Sequence, residues 1–436
     1  MAKKKVDQSV TSEDFSFRKF NDALSKIQGF ELGDILETST FSKIDEYIPT
    51  GSYTLNAQIS GSLFGGYPNS RSVGLVGDPE TGKTFMCLNA VREAQKMNYY
   101  VIYCETEGAI DRSTAEKLGI DTSKIRYQPI KTVNEFKRFT VQVIENVKTI
   151  RKQAPDVKFM IVLDSLGMLT TEKDINDALA GKDAMDMGIK AKQLRAMFRL
   201  ITLDLAAHKI PLIVTNHTTI GNIGSYTGPT KESAGGDGPV FSLSTVLLLS
   251  KKYQREGEGK DRSVTGIIID TFPKKTRSTI PKKCSIHVGF VSGMNPYVGL
   301  EEYVSWDACG IERGKIYTKK DYEKELAKAK GAALAQLNSG VHFQHTPSKT
   351  DKSTGEITQE KTVDLVFVPN ESGRWCVRHM GKSLQNGSML FNKDVFTDQV
   401  LRDLDENVIK PTFKLPDWVD PNSIDFELDD EKEYEE

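Results

Sequence analysis

The segment Gly77-Asp78-Pro79-Glu80-Thr81-Gly82-Lys83-Thr84 constrains this chain more than any other. It fits the pattern G-x-x-x-x-G-K-[ST] and stands between an apolar run, SVGLV, and a helix-forming window that opens at Lys83. A strand that turns through two glycines into a helix aims backbone N–H groups and the positive end of the helix dipole at one point. Such a turn cradles phosphate oxygens. Lys83 reaches the outer phosphates, Thr84 offers its hydroxyl to Mg²⁺, and Phe85 follows in the first helical turn. The expected ligand is ATP with Mg²⁺, held by Gly77, Asp78, Pro79, Glu80, Thr81, Gly82, Lys83, Thr84 and Phe85.

From Ser72 onward, short apolar runs alternate with helical windows: SVGLVG, a helix from Lys83 to about Met97, YYVIYCE, a helix near Ser113 to Leu118, KFMIVLDS, a helix from Ala191 to His208, and PLIVTNH. Strands separated by helical crossovers pair in parallel with both sheet faces covered, so the expected class is α/β with a mostly parallel central sheet. TVLLLSKKYQ, VTGIIIDTF and CSIHVGFV extend it with hairpin-like strands. The expected organisation is a short helical arm over 1–45, an ATPase core over 46–308, a small mixed C-terminal domain over 309–424 and an acidic tail over 425–436. In the C-terminal part, DYEKELAKAKGAALAQL reads as helix, and VDLVFV and RWCVRHM read as strands.

At 436 residues the chain can hold one large core with appendages. No run approaches the roughly 20 apolar residues of a membrane span, and the start, MAKKKVDQS, lacks a secretion signal's apolar segment. The expected location is the cytoplasm, with no membrane partner. Five cysteines without CxxC spacing and six scattered histidines point to buried free thiols and away from a metal held by nitrogen or sulfur. The last twelve residues, DFELDDEKEYEE, carry eight acids and one lysine. That net −7, within a chain total of −2, leaves +5 for residues 1–424. A basic body with an acidic tail suits an anionic partner for which the tail competes.

Four further elements carry chemistry. FMIVLDS would expose Asp164 at the carboxyl end of a buried strand, where open α/β sheets bind ligands and where an acid can hold Mg²⁺ through water. Glu105 and Glu107, two apart at the end of YYVIYCE, share a face if the chain stays extended, and either could activate a water. PLIVTNH ends on Asn216 and His217, which could sense the outermost phosphate. The next twenty or so residues, TTIGNIGSYTGPTKESAGGDGP, lack apolar periodicity; Tyr226 and Lys231 would suit base stacking and phosphate contact. The segment after Asp164, TTEKDINDALAGKDAMDMGIKAKQ, reads as an amphipathic helix. FPKKTRSTIPKK gathers Lys274, Lys275, Arg277, Lys282 and Lys283, either a solvated face or an anion site.

Taken in order, the phosphate loop, LDSLG, AKQLRAMFRLIT, Asn216-His217, GGDGPVFSLSTV, KKTRS and MNPYVGL resemble the RecA family of recombinases over roughly residues 45–305, most closely the bacteriophage UvsX-like branch. The resemblance implies a RecA-like ATPase core and a catalytic glutamate at Glu107. Asp164 with Ser165 becomes the second nucleotide motif, and His217 couples phosphate state to DNA. Segments 171–188 and 218–238 become DNA-contacting loops, with Lys182, Lys190, Gly221, Asn222, Tyr226, Lys231, Gly235 and Gly236 as contact residues. Lys275 and Arg277 become cations offered to a neighbour's ATP. Where bacterial RecA stacks an aromatic residue on adenine, IDRST offers only Asp111 and Thr114, leaving Asp111 as the base-side residue.

The implied protein is a DNA-dependent ATPase. It forms a head-to-tail helical filament on single-stranded DNA, pairs it with homologous duplex DNA and promotes strand exchange, with mediator and single-strand-binding proteins as partners. A ring-forming helicase of the same core would be expected to carry a larger N-terminal collar than about 45 polar residues supply. A nucleotide-regulated DNA-binding module without strand exchange is the other alternative.

Overall fold

A computed structural model of the chain describes residues 19, 20, 23, 24, 26, 43–182, 187–221, 230–233, 242–256, 263–350 and 357–416. Contacts divide the chain into two compact units, Met1–Ile44 and Asp45–Glu436. In the first, residues 19–20 and 23–24 are helical, with Phe20 and Leu24 exposed. Phe15 and Phe17, which the sequence suggests as anchors of a docking arm, lie outside the described residues.

The second unit opens with a ribbon of β1 (Tyr47–Ile48) and β2 (Tyr67–Pro68). The central sheet follows: β3 (Ser72–Gly77), β4 (Tyr99–Glu105), β5 (Ile125–Pro129), β6 (Lys158–Asp164), β7 (Leu212–Gly221), β8 (Thr230–Ser233), β9 (Thr245–Glu256), β10 (Ser263–Lys275), β11 (Cys284–Gly289) and β12 (Gly293–Met294). Its order is β12-β11-β10-β9-β3-β7-β6-β4-β5, with β8 paired to β7. The strands from β9 through β3 to β5 are parallel, whereas β9 to β12 form the antiparallel extension the sequence predicts.

Period-two alternation explains why both faces are covered. Val73, Leu75, Val101, Tyr103, Met160 and Val162 pack on one face against Met86, Ala90 and Val91 of the helix Lys83–Lys96. Their neighbours Val76, Ile102, Cys104, Ile161 and Leu163 pack on the other against the helices Val133–Gln153 and Met187–Ala207, through Phe136, Ile144, Leu194 and Phe198. All five cysteines are free and buried, and burial pushes the Cys104 and Cys284 thiols up to about 12. Among the described residues no helix is long and apolar enough to cross a membrane.

Residues 309–416 carry a second, antiparallel sheet. It comprises β13 (Ile311–Thr318), β14 (Val341–His345), β17 (Val363–Pro369), β18 (Arg374–Val377) and β19 (Lys382–Ser383), in the order β14-β17-β13-β18-β19; β15 (Ser348–Thr350) and β16 (Ile357–Gln359) pair separately. The single helix expected over DYEKELAKAKGAALAQL is two, Lys319–Leu326 and Ala332–Asn338, broken where Gly331 adopts φ 58°. Val395, Phe396, Leu401 and Phe413 return to pack on Ala57, Leu63 and Leu300. Buried Asp405 clasps this contact, accepting from Leu63 N at 2.6 Å and Ser62 Oγ at 2.8 Å. An orphaned buried N–H costs about 1–3 kcal/mol, so this carboxylate holds the returning helix in register.

Candidate active site

Strand register brings the motifs to one edge. Gly77 of β3 lies beside His217 of β7, and Glu105 of β4 beside Asp164 of β6, so the phosphate loop, both acidic strand ends and the Asn216-His217 pair leave the sheet at the same end.

The loop itself is tightly wound. A Cβ at Gly77 would come within 2.7 Å of Thr81 Oγ1 and 2.9 Å of Leu249 O, and Gly82 opens the helix at φ 82°. Lys83 is buried; its Nζ donates to the carbonyls of Gly77 at 2.9 Å and Asp78 at 2.8 Å. Burial lowers the Lys83 pKa, against the attraction of Asp164, Glu107 and Asp78. Thr84 is the second residue of the helix and Phe85 the third. Lys251 of β9 pairs with Glu80 at 2.7 Å, and the Thr218 hydroxyl donates to Asp78 Oδ1.

The two glutamates do different work. Buried Glu105 accepts from the backbone N–H groups of Glu107 (3.1 Å), Gly108 (2.6 Å) and Ala109 (3.0 Å) and from the Tyr127 hydroxyl (2.7 Å). Its carboxylate shapes the loop and has little capacity left for a water. Glu107 Oε1 accepts from Ser165 Oγ at 2.7 Å and lies 3.1 Å from His217 Nε2. Partial burial is the largest influence on Glu107 and raises its pKa, but the bonds from Ser165 and His217, with the charge of Lys83, outweigh it and hold the carboxyl below its usual range. Glu107 therefore stays ionised at neutral pH and is lost as a base only as pH falls through that lowered value.

Asp164 is buried, with its Oδ2 receiving the Tyr103 hydroxyl at 2.8 Å and its Oδ1 the Thr215 hydroxyl. Tyr103 and Thr215 escape a motif search; strand periodicity alone places Tyr103 on the face of Glu105. Among the described residues no group of three His, Cys, Asp or Glu could hold a metal ion. One carboxylate and one hydroxyl, Asp164 and Thr84, suit Mg²⁺ whose other ligands are phosphate oxygens and water. Asp111 is exposed and caps the helix Arg112–Lys117, accepting from Thr114 N at 2.9 Å and Thr114 Oγ1 at 2.5 Å. A cavity of about 540 Å³, lined by Leu88, Tyr103, Ile110, Asp111 and Tyr127 among others, opens beside this cap.

A nucleotide site of this build occurs in many P-loop proteins, and comparison with known proteins separates them. Residues 18–293 match the RecA N-terminal domain family. The chain belongs to the RecA family. RecA of Fusobacterium nucleatum is 26% identical over 338 residues, covering 76% of this chain and 84% of that protein. RecA of Thermotoga neapolitana is 26% identical over 344 residues, 78% and 89% of the two chains. The "Recombination and repair protein" of Enterobacteria phage T4 is 25% identical over 269 residues, 61% of this chain and 65% of its own length. Members of the RecA family are nucleotide-hydrolysing recombinases that use ATP with Mg²⁺, bind DNA and form filaments.

The RecA-like candidate DNA residues fall in several places. Asn222, Tyr226, Gly235 and Gly236 lie outside the described residues. Gly221 ends β7 and Lys231 lies in β8, so two stretches of what the sequence suggests is an unstructured loop are paired strands, with Thr218 opposite Ser233 and Gly221 opposite Thr230. Lys182 is exposed just beyond the helix Glu172–Leu179, which is amphipathic as expected. Lys190 differs from its expected outward role: its Nζ donates inward to Gly167 O at 2.6 Å, and burial lowers its pKa.

Lys275 and Arg277 stand far from the phosphate loop of their own chain. Lys275 lies opposite Val246, which lies beside Gly74, three residues back along β3 from Gly77. Three residues along and two strands across separate Lys275 from Gly77 by roughly 14 Å, beyond a lysine's reach, and Arg277 lies further on.

Proposed function

We propose that this protein is a DNA-dependent ATPase and recombinase that assembles head to tail on single-stranded DNA, in the recombination, repair and replication of phage DNA. It pairs that strand with homologous duplex DNA and exchanges strands, in the cytoplasm of a host cell. The observation that carries the proposal is the Ser165–Glu107–His217 cluster. One ionised carboxylate beside Lys83 is bonded to the histidine from which a polar hairpin departs.

In this mechanism the loop from Gly77 to Phe85 binds the triphosphate, with Lys83 turning from the two loop carbonyls to the outer phosphates. Thr84, and Asp164 through water, would hold Mg²⁺, which would supply charge neutralisation at the phosphate oxygens. Glu107 orients and deprotonates the attacking water, and Ser165 fixes its carboxylate. His217 transmits the occupancy to segment 218–238, which with 171–188 grips the DNA backbone. Lys275 and Arg277, out of reach of their own loop, complete the site of the next subunit, so each bound ATP joins two subunits in a repeating heterologous contact. Residues 1–45 act as the polymerisation arm, 309–424 as a small C-terminal domain, and the acidic tail competes with DNA for the basic body. The resemblance to the phage T4 protein favours the phage setting.

Phosphate release from ATP, measured with and without single-stranded DNA, tests this function. A rise of about tenfold or more with DNA is expected, since ordering a catalytic group supplies at least that factor. Equal rates would contradict the DNA-dependent reading.

A further inference from the structure

The mechanism above leaves the side chain of Asp78 without a task. Asp78 directly follows Gly77, and because Gly77 lies beside His217, Asp78 lies beside Thr218. The Thr218 hydroxyl donates to Asp78 Oδ1. The carbonyl of the same Asp78 accepts from Lys83 Nζ at 2.8 Å and from Thr81 Oγ1 at 2.9 Å. Thr218 is also where β7 leaves β3 and takes up β8, pairing with Ser233. One residue thus holds, by its backbone, the lysine that meets phosphate and, by its side chain, the root of the hairpin.

We infer that Asp78 and Thr218 form a latch that couples the phosphate loop to the paired strands Thr218–Gly221 and Thr230–Ser233, alongside the contact between His217 and Glu107. The inference rests on the nucleotide and DNA roles proposed above. Its physical basis is competition for Lys83. The ammonium has three N–H donors, and two are spent on the carbonyls of Gly77 and Asp78. The third donor lies 3.5 Å from Thr81 Oγ1, so when Lys83 turns two donors to phosphate it must release at least one carbonyl; loss of Lys83 leaves the Asp78 carbonyl to Thr81 alone, which loosens the Asp78 peptide and lets its carboxylate shift. A hydroxyl-to-carboxylate bond is charge-assisted and directional, so Thr218 follows or the bond breaks. Either outcome gives the two loop states different energies at the hairpin root, which is the requirement for coupling. The ion pair of Glu80 with Lys251 ties the same loop to β9, away from the hairpin, and supplies an internal control.

The test is binding of a non-hydrolysable ATP analogue with Mg²⁺ to the full-length protein, with and without a thymidine oligonucleotide. The readout is the ratio of the two dissociation constants. Thr218→Val is expected to shrink the ratio at least about fivefold, the lower range of allosteric couplings, while Thr218→Ser keeps it. Combined with Asp78→Ala, Thr218→Val should fall no further than the worse single variant, because both cut one bond. Lys251→Ala should keep the wild-type ratio. The latch is overturned by a wild-type ratio in Thr218→Val, by additive losses in the pair, or by an equal loss in Lys251→Ala. A wild-type protein that binds no analogue would remove the nucleotide reading and the latch with it. One that binds but gains nothing from the oligonucleotide would remove the coupling of the two sites as a whole, the His217 route included, whereas a wild-type ratio in Thr218→Val removes the latch alone.

Discussion

Glu107→Ala is expected to lower steady-state ATP turnover on single-stranded DNA by at least about a hundredfold while leaving nucleotide binding in place. The loss should be this large because Glu105 cannot substitute. Although it stands only two residues away, its oxygens are committed to three backbone N–H groups and the Tyr127 hydroxyl. Moving it to the water would unfold the turn that positions residue 107. Nucleotide binding should survive because the phosphate contacts come from Lys83 and the loop backbone, to which the Glu107 side chain contributes only charge. Turnover that persists in Glu107→Ala would show the catalytic assignment to be wrong.

The second large effect concerns Lys275 and Arg277. Arg277→Ala alone should lower turnover by about a thousandfold, the smaller range for an arginine that completes a phosphoryl-transfer site. Lys83→Ala should be inactive as well. Mixed in equal amounts the two should recover activity. Wherever the intact loop of an Arg277→Ala subunit faces the intact Arg277 of a Lys83→Ala subunit, one complete site forms, at about one quarter of head-to-tail interfaces. The register that puts Lys275 opposite Val246, three residues back and two strands across from Gly77, is the reason complementation should work. A mixture as inactive as its parts would contradict the supply of Arg277 across the subunit interface.

The sequence disclosed the phosphate loop, the parallel core and the strand-end acids because each rests on a local pattern: glycine spacing, period-two apolar runs, an acid where a run stops. Spacing alone treats Glu105 and Glu107 alike, and only the family resemblance singles out Glu107. The difference lies in the backbone after Glu105, which turns through Gly108 at φ 69° and brings three N–H groups back onto one carboxylate. The hairpin arms Thr218–Gly221 and Thr230–Ser233 were hidden because their pairing is a backbone matter and their polar residues show no alternation. β5 was hidden as a half-exposed edge strand. The helix Val133–Gln153 did leave a signal, the capping box Thr132 to Glu135. The inward turn of Lys190 had none, because a lysine on an amphipathic helix looks the same whether it meets a carbonyl or water.

The central claim is that ATP joins subunits of this chain into a filament on DNA. Electron micrographs of the full-length protein with ATP, Mg²⁺ and single-stranded DNA test it most directly. Helical filaments that need the nucleotide and lengthen with the DNA are the expected result. Closed rings, or particles that remain single under all three components, would contradict it.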